Sequence, residues 1–377
     1  MEISPGAIEI QDGKISQVYH VAERCGCDLP HLRGVSKAEC AVYEPDATAC
    51  PGFIDIHIHG AFGHNVVDGT AEAVHSMAEY LAKHGVTSFL ATTLTLPWTA
   101  ITKAVEAAAQ VAEHGGPGAQ VLGVHLEGPY INPKFKGAQP PEYVRLPSVS
   151  EVRDQLGDLM SFVRIITLAP EMPGALDVIE FAASRGIRVS MGHTDATYEQ
   201  ALAGIAAGAS HICHTFNAMR PFHHREPGII GCAMTMNDLT CELIWDGLHV
   251  HHAAAQTLIR ARGHDHIALI SDSMMATGLP NGEYNLGGQT VYVRDNSARL
   301  SDGTIASSLI MLDDAVRNAV KFGVPLAHAV AMASTVPALA CGVGDRKGKL
   351  SVGMDADITL LGPTLQVVGC VIAGKRI

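Results

Sequence analysis

The feature that most constrains the fold is a regular alternation of short apolar runs and helical stretches through the middle of the chain. Eight of these runs have the length and composition of buried strands. The predicted strands are residues 53–57, 88–92, 121–126, 163–168, 187–191, 211–213, 241–245 and 267–270. Helical stretches lie between most of them, at residues 71–83, 100–113, 175–184, 198–207 and 253–261.

Eight strand–helix units over roughly 300 residues predict an α/β fold in which the strands close into a (β/α)8 TIM-like barrel. A doubly wound open sheet is the alternative, because it is built from the same kind of unit. The Gly-x-Gly-x-x-Gly turn of many such sheets does not follow the first predicted strand. The barrel is therefore the favoured architecture.

The two ends of the chain differ in character from the middle. Residues 6–19 alternate apolar and polar side chains around Asp12-Gly13, which predicts a β-hairpin, and residues 352–377 contain further short β-rich runs. Neither end could bury a core alone, so we expect them to pair in a small β-sandwich domain made of residues 1–50 and 350–377. The barrel domain then occupies residues 51–349, with an inserted hairpin expected at residues 282–302.

Composition and charge exclude several classes of partner. The formal net charge of −12 argues against nucleic acids and anionic membranes, while an anionic small substrate held by a few local donors stays open. The nine cysteines show no regular spacing and no Cys-x-x-Cys pair, which predicts reduced thiols and a cytoplasmic location. No signal peptide or uninterrupted membrane-length apolar run is recognisable.

Potential metal ligands follow five of the predicted strands. His57 and His59 close the first strand, and residues two apart on a strand project from the same face. A His-x-His pair alone is common, but four further ligand-type residues follow other strands in the same way. They are Glu127, His193, His214 and Asp272. Because active sites of such barrels lie at the carboxyl ends of the strands, these six side chains are expected to converge.

The chemistry of these residues suits a metal-dependent hydrolase. Imidazoles and carboxylates supply the nitrogen and oxygen ligands that zinc or ferrous iron accepts. Glu127 could bridge two ions, and such ions lower the pKa of a shared water towards neutrality. Asp272 is then the candidate that accepts a proton from water and returns it to a leaving group.

Longer segments resemble the amidohydrolase superfamily and, within it, the deacetylases of 6-phosphorylated N-acetyl sugars. The resemblance covers nearly the whole chain, and HLEGP and FNAM followed by REPG are more specific than His-x-His. The matching segments are PGFIDIHIHG, GVTSFLATT, GVHLEGPYINPKFKGAQ, MGHTDAT, HICHTFNAMRPFHHREPG, WDGLHV, ISDSM and KGKLSVGMDADITLL. The resemblance implies hydrolysis of the acetamide of N-acetyl-D-glucosamine 6-phosphate, which gives D-glucosamine 6-phosphate and acetate.

The resemblance also implies roles for the strand-end residues. Glu127, His193 and His214 match the metal site common to these deacetylases. His57 and His59 match a second site that only some members keep, so two divalent metals per chain, zinc or iron, are implied. Asp272 matches the aspartate that activates water and protonates the departing amine.

Substrate recognition is implied for residues elsewhere in the same segments. Asn217 and the backbone of Ala218 match a part that contacts the sugar phosphate, and His249 matches a substrate-binding histidine. Arg225 matches an arginine that reaches the phosphate from a neighbouring subunit, which implies a homodimer. Gln139 stands where some relatives have a histidine that orients the acetamide, and it could donate a hydrogen bond there.

Other assignments stay open at this point. The epimeric substrate N-acetylgalactosamine 6-phosphate differs at one hydroxyl and would need the same chemistry. A cyclic-amide or nucleobase hydrolase of the same superfamily is a more distant alternative, against which FNAM and REPG count. A non-catalytic homologue is the alternative from another class, but the chain keeps all six strand-end ligands. Ser307 replaces an expected glycine, which leaves the local loop geometry open.

Overall fold

A computed structural model describes residues 6–20 and 47–377 and contains a parallel sheet of eight strands in consecutive order. From first to eighth, the barrel strands are Phe53–Ile58, Val86–Thr92, Gln120–Glu127, Val163–Leu168, Arg188–Met191, His211–Ile212, Thr240–Ile244 and Ile267–Ile270. Every predicted strand overlaps one of these, with ends shifted by at most two residues.

Backbone hydrogen bonds join the two outer strands of this sheet. The N–H of Asp272, just beyond the eighth strand, donates to the carbonyl of His57 in the first strand at 2.9 Å. The N–H of His59 donates in turn to the carbonyl of Ser273, also at 2.9 Å. The sheet therefore curls into a barrel, which confirms the (β/α)8 prediction over the open sheet.

Helices, many of them amphipathic, pack around the barrel strands. They are Ala71–Lys83, Trp98–His114, Val149–Leu156, Ala175–Ala183, Tyr198–Ala206, Gly228–Thr235, His252–Arg262, Leu312–Lys321, Leu326–Ala333 and Thr335–Ala340. The first helix, Ala71–Lys83, illustrates why these segments form helices. The Thr70 hydroxyl accepts the N–H of Ala73 at the N-terminus, and Val74, Met77 and Leu81 form a buried stripe at helical spacing. Among the described residues, none of the helices is long and apolar enough to cross a membrane.

Residues from both ends of the chain form antiparallel sheets beside the barrel. The predicted hairpin is present as Gly6–Gln11 and Lys14–His20, with positive φ at Asp12 and Gly13 in its turn. A second sheet has the strand order Lys375–Arg376, Val367–Ile372, Ile358–Leu361 and Thr48–Pro51. Ile8 and Ile10 of the hairpin pack against its buried Ile358, Leu360 and Val371.

The prediction that both ends of the chain pair in antiparallel sheet beside the barrel is thus confirmed. The domain limits of 1–50, 350–377 and 51–349 stay a prediction, because residues 1–5 and 21–46 lie outside the described residues. The expected hairpin at 282–302 is part of a three-stranded antiparallel sheet, Gly282–Leu286, Gln289–Arg294 and Ser297–Arg299.

A buried lysine connects the C-terminal sheet to the barrel. Lys347 is 2% exposed and donates to the side chain of Gln120, the first residue of the third barrel strand, at 2.8 Å. It also pairs with Asp357 and, at 3.2 Å, with Asp355. Because a buried charge needs a partner, this contact fixes the sheet at the amino ends of the strands. The functional site is therefore expected at the opposite end of the barrel, at the carboxyl ends of the strands.

Candidate active site

Glu127 lies at the centre of the strand-end residues. It ends the third barrel strand, and its carboxylate is 2% exposed. One oxygen, Oε1, lies 3.1 Å from His193 Nε2, 3.0 Å from His214 Nε2 and 3.4 Å from His57 Nε2. The other oxygen, Oε2, lies 3.4 Å from His59 Nε2. A single carboxylate therefore faces all four predicted histidine ligands.

Two groups of potential metal ligands meet at this carboxylate. In each group the ligand atoms lie within 4.8 Å of one another and all the residues are buried. One group contains Glu127, His193 and His214, and the other contains His57, His59 and Asp272. The Oδ1 atom of Asp272 is 3.2 Å from His59 Nε2 and 3.7 Å from His57 Nε2. The structure thus brings together all six residues selected from the sequence.

The donor atoms fit divalent cations. Within the described residues, His57 Nε2 is buried without a hydrogen-bond partner and faces the carboxylates of Glu127 and Asp272. A buried nitrogen lone pair of this kind is costly unless a cation or proton occupies the space in front of it. The set of imidazole nitrogens and carboxylate oxygens is typical of zinc and iron sites.

The backbone is strained where it presents these side chains. His193, His214 and Asp272 follow the fifth, sixth and eighth barrel strands, and their φ angles are 47°, 22° and 49°. Non-glycine residues seldom adopt positive φ, and such strain concentrates at functional sites. The turn away from the strand at these residues points the side chains over the barrel mouth. Ser307, where a glycine was expected, also has positive φ, 62°.

Electrostatics make this centre attractive for positive charge. Burial alone would raise the pKa of Glu127, but His57, His193 and His214 outweigh burial and hold this pKa well below its ordinary value. Burial would likewise lower the pKa of His59, but hydrogen bonds to Asp272 and Glu127 raise it to about 9. His59 thus binds a proton tightly, and a metal ion would displace that proton. Metal binding should therefore weaken as pH falls.

The predicted substrate residues lie at different distances from this centre. The Gln139 carbonyl accepts the Thr95 N–H at 2.8 Å, which turns its amide nitrogen towards Glu127 Oε2, to which it donates. The side chain of Asn217 donates to the carbonyl of His214 at 3.1 Å. Gln139 and Asn217 are therefore in direct contact with the proposed metal ligands.

The other three predicted substrate residues are placed by separate contacts. Ala218 has a φ of 47°, and its carbonyl accepts the N–H of Thr194 at 3.1 Å. The His249 ring Nδ1 lies 2.6 Å from the Asp246 carboxylate, which fixes its orientation. Arg225 is exposed on the surface, where its guanidinium contacts His224.

Sequence reasoning missed the residues beneath the ligands. Glu242, in the seventh barrel strand, is fully buried and lies 2.9 Å from His57 Nδ1. Its burial would raise its pKa, but His57 outweighs this and holds the pKa at about 2. The signal was present as a single carboxylate inside the apolar run TCELI, because charged residues are almost never fully buried without a partner.

A (β/α)8 barrel with buried histidine and carboxylate groups at the carboxyl ends of its strands has the architecture of a metal-dependent hydrolase. The sequence profile of the amidohydrolase family matches residues 48–377. The chain therefore belongs to the amidohydrolase family, whose members are metal-dependent.

Its relatives include proteins named as sugar-phosphate deacetylases. It is 38% identical to the N-acetylglucosamine-6-phosphate deacetylase of Bacillus subtilis, over 99% of this chain and 93% of that protein. It is 40% identical to the N-acetylgalactosamine-6-phosphate deacetylase of Escherichia coli O157:H7, over 91% and 92%. A mutant Mycobacterium smegmatis N-acetylglucosamine-6-phosphate deacetylase, solved with that sugar phosphate, superposes with a TM-score of 0.89 at 32% identity, over 99% and 95%.

Proposed function

We propose that this chain hydrolyses the acetamide of N-acetyl-D-glucosamine 6-phosphate to D-glucosamine 6-phosphate and acetate. The observation that carries the proposal is the convergence of two buried ligand groups on Glu127 at the barrel mouth. The proposed substrate comes from the relatives, since the Bacillus subtilis protein bears this activity in its name and matches nearly the whole chain.

The chain's residues would hold two divalent ions, zinc or iron. Glu127, His193 and His214 would hold one ion, and His57 and His59 the other, with Glu127 between them. When bound, such ions lower the pKa of a water molecule and polarise a carbonyl group. His57 and His59 face the same carboxylate as the first group, which supports two ions rather than one.

Asp272 is placed to move a proton. Burial would raise its pKa, but His59 and His57 lower it below its ordinary value, so the carboxylate is ionised near neutral pH. An ionised carboxylate at the barrel mouth can accept a proton from the attacking water and then donate it to the sugar nitrogen. The water oxygen forms a bond to the acetyl carbon, the bond between this carbon and the nitrogen breaks, and the products are acetate and the amine.

Recognition of the sugar phosphate would fall to residues around the mouth. We assign Asn217, the backbone of Ala218 and His249 to the sugar phosphate, and Gln139 to the acetamide. The amide of Gln139 already donates to Glu127, so contact with the acetamide would require its second N–H. Because the Asp246 carboxylate accepts from His249 Nδ1, the Nε2 atom of His249 is left for substrate.

Arg225 is assigned to the phosphate group of a substrate bound in the partner of a homodimer. Its exposed position supports this assignment, since it contacts none of the six ligand residues of its own chain among the described contacts. An alanine at position 225 is expected to raise KM about 10–100-fold, the worth of a charge-assisted hydrogen bond, with little change in kcat. Steady-state kinetics with the phosphosugar measure both parameters.

Coexpression of R225A with a D272N chain tests the action across the interface. Each heterodimer would contain one site with both wild-type residues, so a kcat/KM of about a quarter of the wild-type value, measured at substrate concentrations well below KM, is expected after random pairing. A coexpressed sample no more active than the R225A and D272N proteins measured separately would place Arg225 in its own site.

A second candidate is deacetylation of N-acetylgalactosamine 6-phosphate. It is favoured by one observation, the 40% identity to the Escherichia coli enzyme of that name. The two substrates differ at a single hydroxyl, so the proposed metal centre and Asp272 would act on both in the same way.

Acetate release tests the proposed function directly. The metal-loaded protein would be assayed with N-acetylglucosamine 6-phosphate, its galactosamine epimer and unphosphorylated N-acetylglucosamine. The highest kcat/KM is expected for the first, which the Bacillus subtilis relative bears in its name, and the lowest for the third, since Arg225 and Asn217 would have no phosphate to bind there. A higher value for the epimer would move the assignment to the second candidate. The absence of acetate from all three would refute deacetylation of amino sugars.

A further inference from the structure

A second layer of polar groups lies beneath the proposed metal ligands. Its centre is Glu242, whose Oε2 atom lies 2.9 Å from His57 Nδ1 and accepts the backbone N–H of His214 at 3.1 Å. The side chain is fully buried, and its Oε1 atom has no partner among the described residues. A carboxylate buried in this way is costly unless a charge-assisted hydrogen bond offsets the loss of water.

The position of Glu242 decides which nitrogen of His57 is free. A neutral imidazole carries one proton, and a carboxylate beside Nδ1 keeps the proton on that atom. The lone pair is then on Nε2, which faces Glu127 and Asp272. Glu242 thus selects the tautomer in which His57 can bind a cation at the barrel mouth.

The same arrangement recurs with weaker acceptors at two other ligands. His59 Nδ1 lies 3.3 Å from the carbonyl of Thr92, and His193 Nδ1 lies 2.9 Å from the carbonyl of Phe135. In both rings Nε2 faces Glu127, as it does in His57. Of these three histidines, His57 alone has a carboxylate of the described residues at Nδ1, and a charged acceptor makes the ring a stronger electron donor.

A separate metal site in this layer fits the contacts less well. Glu242, His57, His125 and Cys213 do have potential ligand atoms within 4.8 Å of one another. Both nitrogens of His125 are already engaged, by the Ile56 carbonyl at 3.0 Å and the Thr167 hydroxyl at 2.7 Å. The Nδ1 atom of His57 is at hydrogen-bond distance from Glu242. The cluster therefore has too few free donors to hold an ion of its own.

We propose that Glu242 is a positioning residue that orients His57 and strengthens it as a ligand of the second metal ion. The inference rests on the proposed metal centre but not on the identity of the sugar. It assigns to Glu242 an effect on one of the two ions, the ion held by His57 and His59. The ion held by Glu127, His193 and His214 should be affected much less, although Glu242 also touches the backbone of His214.

Two substitutions separate charge from hydrogen bonding. E242Q keeps an acceptor oxygen for His57 Nδ1 but removes the negative charge, whereas E242L removes both. Competition with a chelator of known affinity, followed by metal analysis, would give the affinity for each ion. E242Q is expected to lower the affinity for one of the two ions about 10-fold, and E242L is expected to lower it about 100-fold. Partners of metal-bound histidines have effects in this range.

C241A serves as the matched control. Cys241 is the neighbouring residue of the same strand, is equally buried, and directs its sulfur towards the carbonyl of Ala233. It should lose some thermal stability but bind both ions with wild-type affinity. E242Q should also remain folded without metal, which circular dichroism would verify.

The outcomes distinguish this inference from the proposed function. Wild-type affinities for both ions in E242Q and E242L would overturn the role of Glu242. An equal loss of affinity for both ions would also overturn it, because that result would indicate a general change in the barrel structure and not an effect on His57. A wild-type chain that binds one ion, and whose rate of acetate release does not rise with more metal, would refute the inference. The deacetylase activity would still be supported.

Discussion

The D272N variant is expected to lose about 10³-fold or more in kcat, within the range that a positioned acid–base group contributes. Asparagine has nearly the same shape as aspartate but cannot accept and return a proton. Its carbonyl oxygen can occupy the place of Oδ1, which lies 3.2 Å from His59 Nε2, so the metal content should stay near the wild-type value. Initial rates of acetate release and metal analysis of the same sample measure the two quantities.

D313N is a suitable control for D272N. Asp313 is also a buried aspartate, 5% exposed, but it pairs with His84 and Arg317 outside the strand-end residues. Its replacement should lower stability and leave kcat unchanged. A D272N protein with near-normal kcat would remove Asp272 from the proton transfer, whatever its metal content.

The E127Q variant is expected to lose both metal binding and activity. Among the described residues, Glu127 is the only carboxylate within 3.5 Å of all four candidate histidine ligands, and glutamine has neither its charge nor its two acceptor oxygens. Losing the several kcal/mol that bound metal supplies would lower kcat about 10³-fold or more. E127Q would thus differ from D272N in metal content although both lose activity.

E151Q supplies the comparison for E127Q. Glu151 pairs with Arg145 and accepts the hydroxyl of Tyr130, away from the histidine ligands. Metal analysis of E151Q should match the wild type. If E127Q retained two ions per chain, the two ligand groups could not depend on a shared carboxylate, and the proposed centre would need other ligands.

The sequence was sufficient to predict the barrel and the convergence of the six strand-end residues. Buried parallel strands are continuous apolar runs, so the strands at 53–57 and 267–270 were visible without any knowledge of their partners. Candidate ligands such as Glu127 and Asp272 come one or two residues after runs of this kind, and barrel geometry places all strand ends on one face. Local pattern and general topology were together enough for this part.

Contacts between distant residues could not be predicted in the same way. Glu242 is 185 residues from His57 in the chain, and their pairing depends on the register of strands that are remote in sequence. The link between Gln139 and Thr95 depends on the path of two loops. Neither contact follows from periodicity, because periodicity fixes the face of a side chain and not its neighbour on another strand.

The sheet shared by both ends of the chain has a consequence for folding during synthesis. Thr48–Pro51 leads directly into the first barrel strand, yet it pairs with Ile358–Leu361, which leaves the ribosome much later. Within the part of the chain that the structure describes, Ile358–Leu361 is the strand that pairs with Thr48–Pro51, so this edge waits for its partner while the entire barrel is being made, and exposed strand edges attract wrong partners. Co-translational folding of this protein should therefore end with a slow, long-range step. In this step Ile358–Leu361 pairs with Thr48–Pro51 and completes the sheet at the amino ends of the barrel strands.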